Sequence, residues 1–336
     1  MKYKLNLSLM ALIGSFLCWL VPSSAWALTS EEDLTVLATG SCGVSLTYTI
    51  YSDFSMVISG TGEMKDYVDD ELHIDADYFQ KITSVVIEDG VSSIGQFAFY
   101  DFIRMASLSI PNSVTKIGNA AFYNCVRLAS LDLPSNLTEI GNGAFYGCDA
   151  LTSIEIPSGV NIISPVLFFN CTGLTSVTIP DGVTEIGNAA FECCSSLATI
   201  TIPSTVTSIG DAAFEWCTSL TSITVEIDIP LEISAATFNN VDKAACTLYV
   251  PAGSKSAYES AEVWSEFQNI EEIPGDYVIG DANGDGEVLI GDVIAILNYI
   301  VGVTSDNFNE KAADANGDGE ILIGDVIAVL NIIVGQ

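Results

Sequence analysis

The feature that most constrains the fold of this chain is a repeat of 23 residues. Proline recurs at this interval from Pro111 to Pro203, phenylalanine from Phe99 to Phe214, and cysteine from Cys125 to Cys217. A fixed period of this length predicts a solenoid, in which each unit forms one coil that stacks on the next. One unit has only about eight apolar positions and cannot bury them alone, so the coils must share a continuous core.

The unit around residues 174–196 predicts the geometry of one coil. Its segment Ser176–Ile179 alternates polar and β-branched apolar residues, which indicates a short strand with Val177 and Ile179 inward. Pro180 lacks an amide hydrogen and should end the ladder. The segment Asn188–Phe191 is read as a short helical or 3₁₀ segment on the opposite side. Each coil is therefore predicted to contribute one parallel strand.

The repeated units read approximately L-x-x-I-x-I-P-x-x-V-x-x-I-G-x-x-A-F-x-x-C. This pattern resembles the BspA-like, or Treponema-type, leucine-rich repeat, and the resemblance covers about residues 82–273. Its irregular last unit, Leu248–Trp264, resembles the C-terminal capping turn of the family. The unit containing Ser164 and Leu167 departs from the pattern, because it lacks the glycine and the small alanine. The resemblance implies a leucine-rich-repeat solenoid with short parallel strands that binds or adheres to host or matrix proteins.

The start of the chain has the three parts of a secretory signal peptide. Two lysines precede the apolar run Leu5–Val21, and Ala25-Trp26-Ala27 forms an A-x-A cleavage site. A secreted or cell-surface protein cleaved near Ala27 is predicted. The competing interpretation is a lipoprotein anchored through Cys18, which is disfavoured because Leu17 occupies a position that requires a small residue. The predicted domains are a signal peptide (1–27), an N-terminal β cap (28–81), the solenoid with its C-terminal cap (82–273) and a calcium module (274–336).

The predicted β cap contains two alternating segments, Ser45–Ile50 and Ser55–Ser59, which indicate a β-hairpin over the open end of the first coil. The same region resembles the N-terminal part of BspA-like proteins. The single histidine of the chain, His73, follows this hairpin in a polar loop. Any Ser-His-Asp or Cys-His mechanism would have to use it, and a surface side chain is the favoured interpretation.

The charge of the chain is strongly negative, with 43 acidic against 10 basic residues and a formal net charge of −33. Such a surface repels nucleic-acid phosphates and anionic lipid, and it attracts divalent cations. No apolar stretch after the signal peptide is long enough to span a bilayer. We therefore expect neither a nucleic-acid partner nor membrane insertion.

Nine cysteines in an exported chain would ordinarily suggest disulfides. Five of them share one repeat position, so they should form a column of buried thiols that pack as small apolar residues. Cys42 and Cys246 are the best remaining pair, but they lie at opposite ends of the solenoid. No disulfide is expected, and all eight cysteines after the signal peptide should react slowly with alkylating reagents.

A second repeat lies near the C-terminus, where residues 281–302 and 314–335 differ at three of 22 positions. Each copy begins with Asp, Asn and Asp at alternate positions, followed by a glycine that permits a tight turn. It ends with an aspartate at position 12, which begins a helix. This arrangement of oxygen donors predicts an EF-hand-like loop, and two bound calcium ions are expected. The predicted ligands are Asp281, Asn283, Asp285, Glu287 and Asp292 in the first loop, and Asp314, Asn316, Asp318, Glu320 and Asp325 in the second.

These paired loop-helix units resemble a type I dockerin over residues 275–336, because Asp rather than Glu closes each loop and no helix precedes it. The resemblance implies docking to a cohesin-like partner. The partner positions implied by the family are Ile290-Gly291 and Ile323-Gly324, where dockerins commonly have hydroxyl residues. Leu289 and Leu322 stand at loop position 9, so water must complete the coordination. The alternative is a calcium-stiffened module without a partner.

The outward strand position of the solenoid offers a candidate ligand face. Its members are Ser109, Asp132, Glu155, Thr178, Thr201 and Thr224. Asp132 and Glu155 should lie about 5 Å apart on adjacent parallel rungs, a separation compatible with a retaining glycosidase. A hydrolase of a polysaccharide-degrading assembly is therefore the alternative function. The sequence shows no aromatic platform or pocket, so a flat polar face on a non-catalytic protein that binds a protein or glycan ligand is favoured.

Overall fold

The structure is a computed structural model that describes residues 34–68, 78–273, 279–303, 305, 307–317 and 319–335. The predicted signal peptide, His73 and Asp318 lie outside these described residues. The chain divides into two compact units. The larger contains the repeats up to Leu248 together with Ala257–Ile270, and the smaller contains Tyr249–Ser256 and the residues from Glu271 onward.

The larger unit is a β-solenoid of about eight turns, as predicted. Its first row of parallel strands, the first ladder, consists of Ser84–Ile87, Ser107–Ser109, Ser153–Glu155, Ser176–Thr178, Thr199–Ile202 and Ser222–Val225. Two later strands, Thr247–Val250 and Asn269–Glu272, begin in the larger unit. The sequence predicted one strand per coil, but most coils contain a second. This second ladder consists of Gly62–Glu63, Val91–Ile94, Lys116–Ile117, Glu139–Ile140, Ile162–Ile163, Glu185–Ile186 and Ser208–Ile209.

The strand Ser176–Thr178 shows why these residues form a ladder. It pairs in parallel with Ser153–Glu155, and Val177 lies opposite Ile154. Both of these apolar side chains are buried, whereas the polar residues beside them are exposed. The strand ends two residues before Pro180, whose carbonyl accepts a hydrogen bond from the amide of Val183 at 3.0 Å. The predicted strand and turn of this coil are confirmed.

The opposite side of each coil is built from turns rather than from the helical segment predicted over residues 188–191. Ala189 and Cys193 have φ of 53° and 62°, and a left-handed residue interrupts a right-handed helix. The amides of Ala189 and Phe191 instead donate to carbonyls of the next coil, those of Asp211 and Ala213, at 2.8 Å each. The amides between them, of Ala190 and Glu192, donate to carbonyls three residues earlier in the same coil, so single turns alternate with hydrogen bonds between coils.

The core of the solenoid contains a continuous column of stacked rings. Successive ring centroids are 5.3 to 5.7 Å apart, and adjacent rings are tilted by at most 17°. The column consists of Phe99, Phe122, Phe145, Phe168, Phe191, Phe214 and Phe238, all of which are buried. Each ring therefore rests on its counterpart in the neighbouring coil, as the repeat predicted.

The cysteine column lies beside these rings, and its thiols do more than pack. Each of the five donates a hydrogen bond to the carbonyl of a phenylalanine 26 residues earlier, as in the 3.1 Å contact from Sγ of Cys194 to Phe168. Burial raises the pKa of Cys171 to about 12, so this thiol stays protonated and able to donate. All eight described cysteines are free. Cys193 is partly exposed, so the expectation that all eight are shielded is wrong at this position.

Both ends of the solenoid are covered. At the N-terminal end, β2 (Leu46–Tyr51) and β3 (Ser55–Gly60) form the predicted hairpin. The sequence did not predict β1 (Val36–Ser41), which pairs with β2. β3 then pairs in parallel with the first coil. At the other end, Trp264 and Phe267 both pack against the last ring of the phenylalanine column with centroids 5.4 Å away.

Helices are few and short in the described residues. The α-helices are α1 (Lys255–Ser260), α2 (Ile290–Ile300), α3 (Glu310–Ala313) and α4 (Ile323–Val334), and the 3₁₀ helices are Phe79–Lys81 and Trp264–Glu266. In the smaller unit, α2 and α4 pack against one another. Their shared core contains Ala282, Val293, Ile296, Ala313, Val326 and Val329. Among the described residues, no helix has the length and apolar character required to cross a membrane.

Candidate functional site

The first EF-hand-like loop, residues 281–292, turns its carboxylates inward onto its own backbone. The two carboxylate oxygens of Asp292 accept hydrogen bonds from the amides of Asn283 and Leu289, at 3.0 and 2.8 Å. The two oxygens of Asp281 accept from the amides of Asp285 and Gly286, at 3.1 and 2.9 Å. Asp292 thereby connects the start of α2 to the beginning of the loop.

A further pair of contacts draws the middle of the same loop together. The side-chain oxygen of Asn283 accepts from the amide of Asp285 at 2.8 Å, and the carboxylate of Asp285 accepts from the amide of Glu287 at 2.9 Å. Gly286 has φ of 89°, a conformation that disfavours residues with a side chain. The loop thus brings Asp281, Asn283, Asp285 and Asp292 to one side of a single turn.

The second loop, residues 314–325, repeats this arrangement. Asp325 accepts from the amides of Asn316 and Leu322 at 3.2 and 2.9 Å, and Asp314 accepts from the amide of Gly319 at 2.9 Å. Asp292 and Asp325 are both fully buried. Each also stands in the first turn of its helix, where negative charge is stabilised by the helix dipole.

The donor chemistry of these loops fits calcium. Carboxylate, amide and backbone carbonyl oxygens are the ligands that calcium prefers, and the loops offer no sulfur or imidazole. Where the structure describes the chain, three or more acidic, histidine or cysteine side chains do not converge into a metal cluster. The carboxylates instead hold backbone amides, and an amide oxygen supplies one donor of each loop. Calcium binding would therefore exchange some of these hydrogen bonds for metal ligation.

The helices that follow the loops expose equivalent apolar stripes. The predicted partner positions Ile290 and Ile323 are 61% and 60% exposed. Each begins a row of exposed residues at helical spacing that the sequence analysis did not single out. The rows are Ile290, Ile294, Leu297 and Val301 on and just after α2, and Ile323, Ile327, Leu330 and Val334 on α4. The sequence signal for these rows is an apolar residue every three or four positions, repeated in the second copy 33 residues later.

The glycines at the predicted partner positions have a steric role in the loops. A Cβ atom on Gly291 would lie 3.0 Å from Nδ2 of Asn283, and one on Gly324 would lie 2.9 Å from Nδ2 of Asn316. A side chain at either position would therefore press on an amide that the sequence predicts to be a calcium ligand. The absence of a side chain here keeps the start of each helix close to its loop.

The strand side of the solenoid presents the predicted ligand face. Ser109, Glu155, Thr178 and Thr201 are exposed strand residues, and Thr224 is partly buried. Glu155 lies opposite Thr178, and Thr201 lies opposite Thr224, in parallel register. Asp132 is exposed but belongs to no strand. The structure thus brings these residues to one side of the coils, and their ladder is interrupted at Asp132 and again between the strands of Thr178 and Thr201.

The face has a groove at the interruption near Asp132. A groove of about 550 Å³ is lined by parts of three successive coils and includes Asp132 and Glu155. The local sequence accounts for it, because Leu131 and Leu133 stand where most other coils have β-branched residues and Asp132 has a low strand propensity. Paired strands would also set two like charges side by side. The prediction of a flat sheet without a pocket is wrong here.

A second aromatic column lies on the turn side and was missed by the sequence analysis. Tyr100, Tyr123, Tyr146 and Phe169 are half-buried, with successive ring centroids 4.3 to 4.8 Å apart. The 23-residue spacing of these rings, directly after the phenylalanine position, would have revealed it. Because the rings cover one another's faces, the column stabilises the coils and offers mainly ring edges to a ligand.

Comparison with family models gave two matches. The BspA type leucine rich repeat region matches in six copies over residues 73–171 and 138–261, together more than half of the chain. The type I dockerin domain matches residues 279–333. No curated protein matches the chain.

Solved structures include several similar proteins. A leucine rich cell surface protein from Faecalibacterium prausnitzii is 23% identical, with 72% of this chain and 77% of that one covered and a TM-score of 0.48. The leucine rich repeat protein of T. pallidum is 26% identical, with 52% and 86% covered and a TM-score of 0.40. A leucine-rich repeat protein from Bacteroides ovatus is 20% identical, with 74% and 77% covered and a TM-score of 0.37.

Proposed function

Because the chain belongs to the BspA-type leucine-rich repeat family and ends in a type I dockerin domain, we propose that it is an exported recognition protein that docks to a cohesin-like partner in the presence of calcium. Both matched modules are non-catalytic and mediate protein interaction. The observation that carries the proposal is the pair of oxygen-lined loops, each followed by a helix with an exposed apolar stripe. Secretion or display at the cell surface agrees with the predicted cleavage near Ala27.

Two calcium ions are proposed, one in each loop. The ligands of the first are Asp281, Asn283, Asp285 and Asp292 with the carbonyl of Glu287, and those of the second are Asp314, Asn316, Asp318 and Asp325 with the carbonyl of Glu320. The carboxylates of one loop repel one another, and α2 and α4 enclose only a small core. Calcium should therefore stabilise the smaller unit by offsetting this repulsion.

Calorimetry on the full chain without its signal peptide tests this proposal. The wild type should bind two calcium ions, and a variant with Asp281→Ala and Asp314→Ala should bind none. The control variant Glu271→Gln with Glu272→Gln removes the same charge outside the loops, and it should bind as the wild type does. An unchanged calcium titration in the loop variant would contradict the assignment.

The docking surface is proposed to be the stripes that begin at Ile290 and Ile323. Because the two copies present equivalent residues, a cohesin-like partner should accept the module in either of two orientations. Polar substitution of one stripe, Ile290→Asp, should leave docking nearly intact, and adding Ile323→Asp should abolish it. Pull-downs from secreted proteins, with calcium and with a chelator, measure this. Loss of docking by the single variant would contradict the two orientations.

The strand side of the solenoid is proposed to hold the second ligand, a protein or a glycan. This proposal is supported by the row of exposed polar residues, which parallel strands hold at fixed spacing. A glycan array and a panel of matrix proteins should show binding that is lost when Thr178 and Thr201 are both changed to Arg. Binding that survives deletion of the solenoid would refute this assignment. Hydrolysis of any arrayed glycan would favour the alternative of a polysaccharide hydrolase.

A further inference from the structure

The groove at Asp132 is a place where the solenoid departs from its own repeat. Residues 130–133 form no strand, so no ladder pair joins Ser107–Ser109 to the coil of Asp132 or that coil to Ser153–Glu155. The strand Ser153–Glu155 pairs only with Ser176–Thr178, and its other edge has no ladder partner. Main-chain donors and acceptors at this edge and in residues 130–133 are therefore outside the ladder, beside an open volume of about 550 Å³.

The charge of the groove is negative and lacks a counter-charge. Asp132 and Glu155 are both exposed, and the other lining residues are serine, threonine, leucine, isoleucine and proline. Not one lysine, arginine or histidine occurs among the residues that line it. The whole chain has a net charge of −33, so the mean electrostatic potential of the protein is also negative. A ligand that brings one positive charge would therefore be attracted to this groove.

The composition of the lining favours one kind of cation. A metal ion usually requires more than two side-chain oxygen ligands of high charge, and the described coils bring no third acidic, histidine or cysteine side chain to these two. A sugar is normally recognised by stacking on an aromatic face, and the groove lining contains no aromatic ring. The planar guanidinium of arginine, with five donors, can instead satisfy two carboxylates at once.

We propose that the groove binds an arginine side chain of an extended protein segment. Its guanidinium lies between Asp132 and Glu155, and the main chain of the segment runs beside the unpaired backbone of residues 130–133. Leu133 and Pro157 contact the aliphatic part of the arginine. This inference rests on the proposed function and deepens it, because it names a protein rather than a glycan as the ligand of the strand side.

Fluorescence anisotropy with the calcium-loaded chain, without its signal peptide, tests the proposal. The probe is a labelled, end-blocked pentapeptide of threonine with one central arginine, and its twin contains citrulline, which has nearly the same shape and no charge. The arginine peptide should bind roughly tenfold or more tightly than the citrulline peptide, since a tenfold ratio requires only about 1.4 kcal/mol. The double variant Asp132→Asn with Glu155→Gln should lose this difference.

Two further variants make the test specific. Glu185→Gln with Asp211→Asn removes the same two charges from exposed positions that do not line the groove, and it should change the affinity less than about twofold. Asp132→Thr with Glu155→Thr introduces the residue that the following coils have at this position, so it should fold and bind no better than the neutral variant. Circular dichroism confirms that each variant is folded.

Several results would overturn the proposal. One is equal affinity for the arginine and citrulline peptides. Another is a loss of affinity in Glu185→Gln with Asp211→Asn as large as that in the groove variant. A third is no binding of the arginine peptide at millimolar concentration. Binding of xylohexaose that depends on Asp132 and Glu155 would instead identify a glycan site. If the groove variants keep their matrix-protein ligand while Thr178→Arg with Thr201→Arg loses it, only this inference fails. If neither pair of changes affects that ligand, the proposed strand-side recognition fails as well.

Discussion

Replacing Phe191 by alanine tests the principle by which the solenoid is held together. This ring is fully buried between Phe168 and Phe214, with centroids 5.5 and 5.3 Å away. A Phe→Ala change in a core costs about 3–5 kcal/mol, because it loses transfer energy and leaves a cavity. Each stacked pair is worth roughly 0.5–1.5 kcal/mol beyond its buried area. Since Phe191 has stacked neighbours on both sides, we expect the upper part of the range.

Urea unfolding followed by circular dichroism and tryptophan fluorescence measures the effect. For a solenoid of this size we take a slope of about 3 kcal/mol per molar urea, so a loss of about 4–5 kcal/mol should lower the midpoint by roughly 1.3 to 1.7 M. Thr178→Ala is the matched control, because this residue is exposed on the strand side of the same coil and its loss should cost less than about 0.5 kcal/mol. Equal midpoints for the two variants would refute the aligned phenylalanine column as the source of stability.

Three other predictions follow from single contacts. Cys193 should be alkylated before the buried cysteines, and its rate should rise only at alkaline pH, because burial and then the nearby Glu192 raise its pKa; peptide mass spectrometry over a pH series measures this. Trp216→Asn should raise the free energy of unfolding by about 1 kcal/mol in the same urea experiment, because Trp216 is held at φ 60° and asparagine tolerates that conformation; a lower free energy of unfolding would contradict the strain. Gly291→Ala should weaken calcium binding severalfold in calorimetry by displacing Asn283, whereas Ile290→Ala should not.

The sequence predicted the parts of the fold that depend on residue type at a fixed spacing. Inward apolar positions, the stacked phenylalanines and the N-terminal hairpin need only periodicity and β propensity to be identified. The second ladder escaped prediction because a two-residue strand has no alternation of its own. The turns at Ala189 and Cys193 escaped it because alanine and cysteine rarely adopt positive φ, and here the amides of both residues donate hydrogen bonds to the next coil.

The two candidate sites also differ in whether the sequence could predict them. The EF-hand-like loops could be read from the sequence because their oxygen-bearing side chains lie within 12 consecutive residues. The groove could not, because it results from the failure of pairing between coils 23 residues apart. Asp132 and Glu155 were correctly expected on one face, but the sequence predicted paired rungs there. Leucines at residues 131 and 133 and the repulsion between adjacent carboxylates were the signals against that pairing.

The three differences between the two loop-helix copies leave the two exposed apolar stripes equivalent. Val288 and Ile296 in the first copy correspond to Ile321 and Val329 in the second, and all four contribute to the shared core. The second copy is one methylene larger at the first of these positions and one methylene smaller at the second. Each half therefore contributes the same apolar volume, and the packing of α2 against α4 is preserved. The third difference replaces Tyr299 by isoleucine. The Tyr299 ring stacks on Phe308 at 4.5 Å and its hydroxyl donates to Glu310 at 3.1 Å, which fastens the connection between the copies. That connection follows only the first copy. The tyrosine is therefore needed only there, and the difference does not affect the exposed stripes.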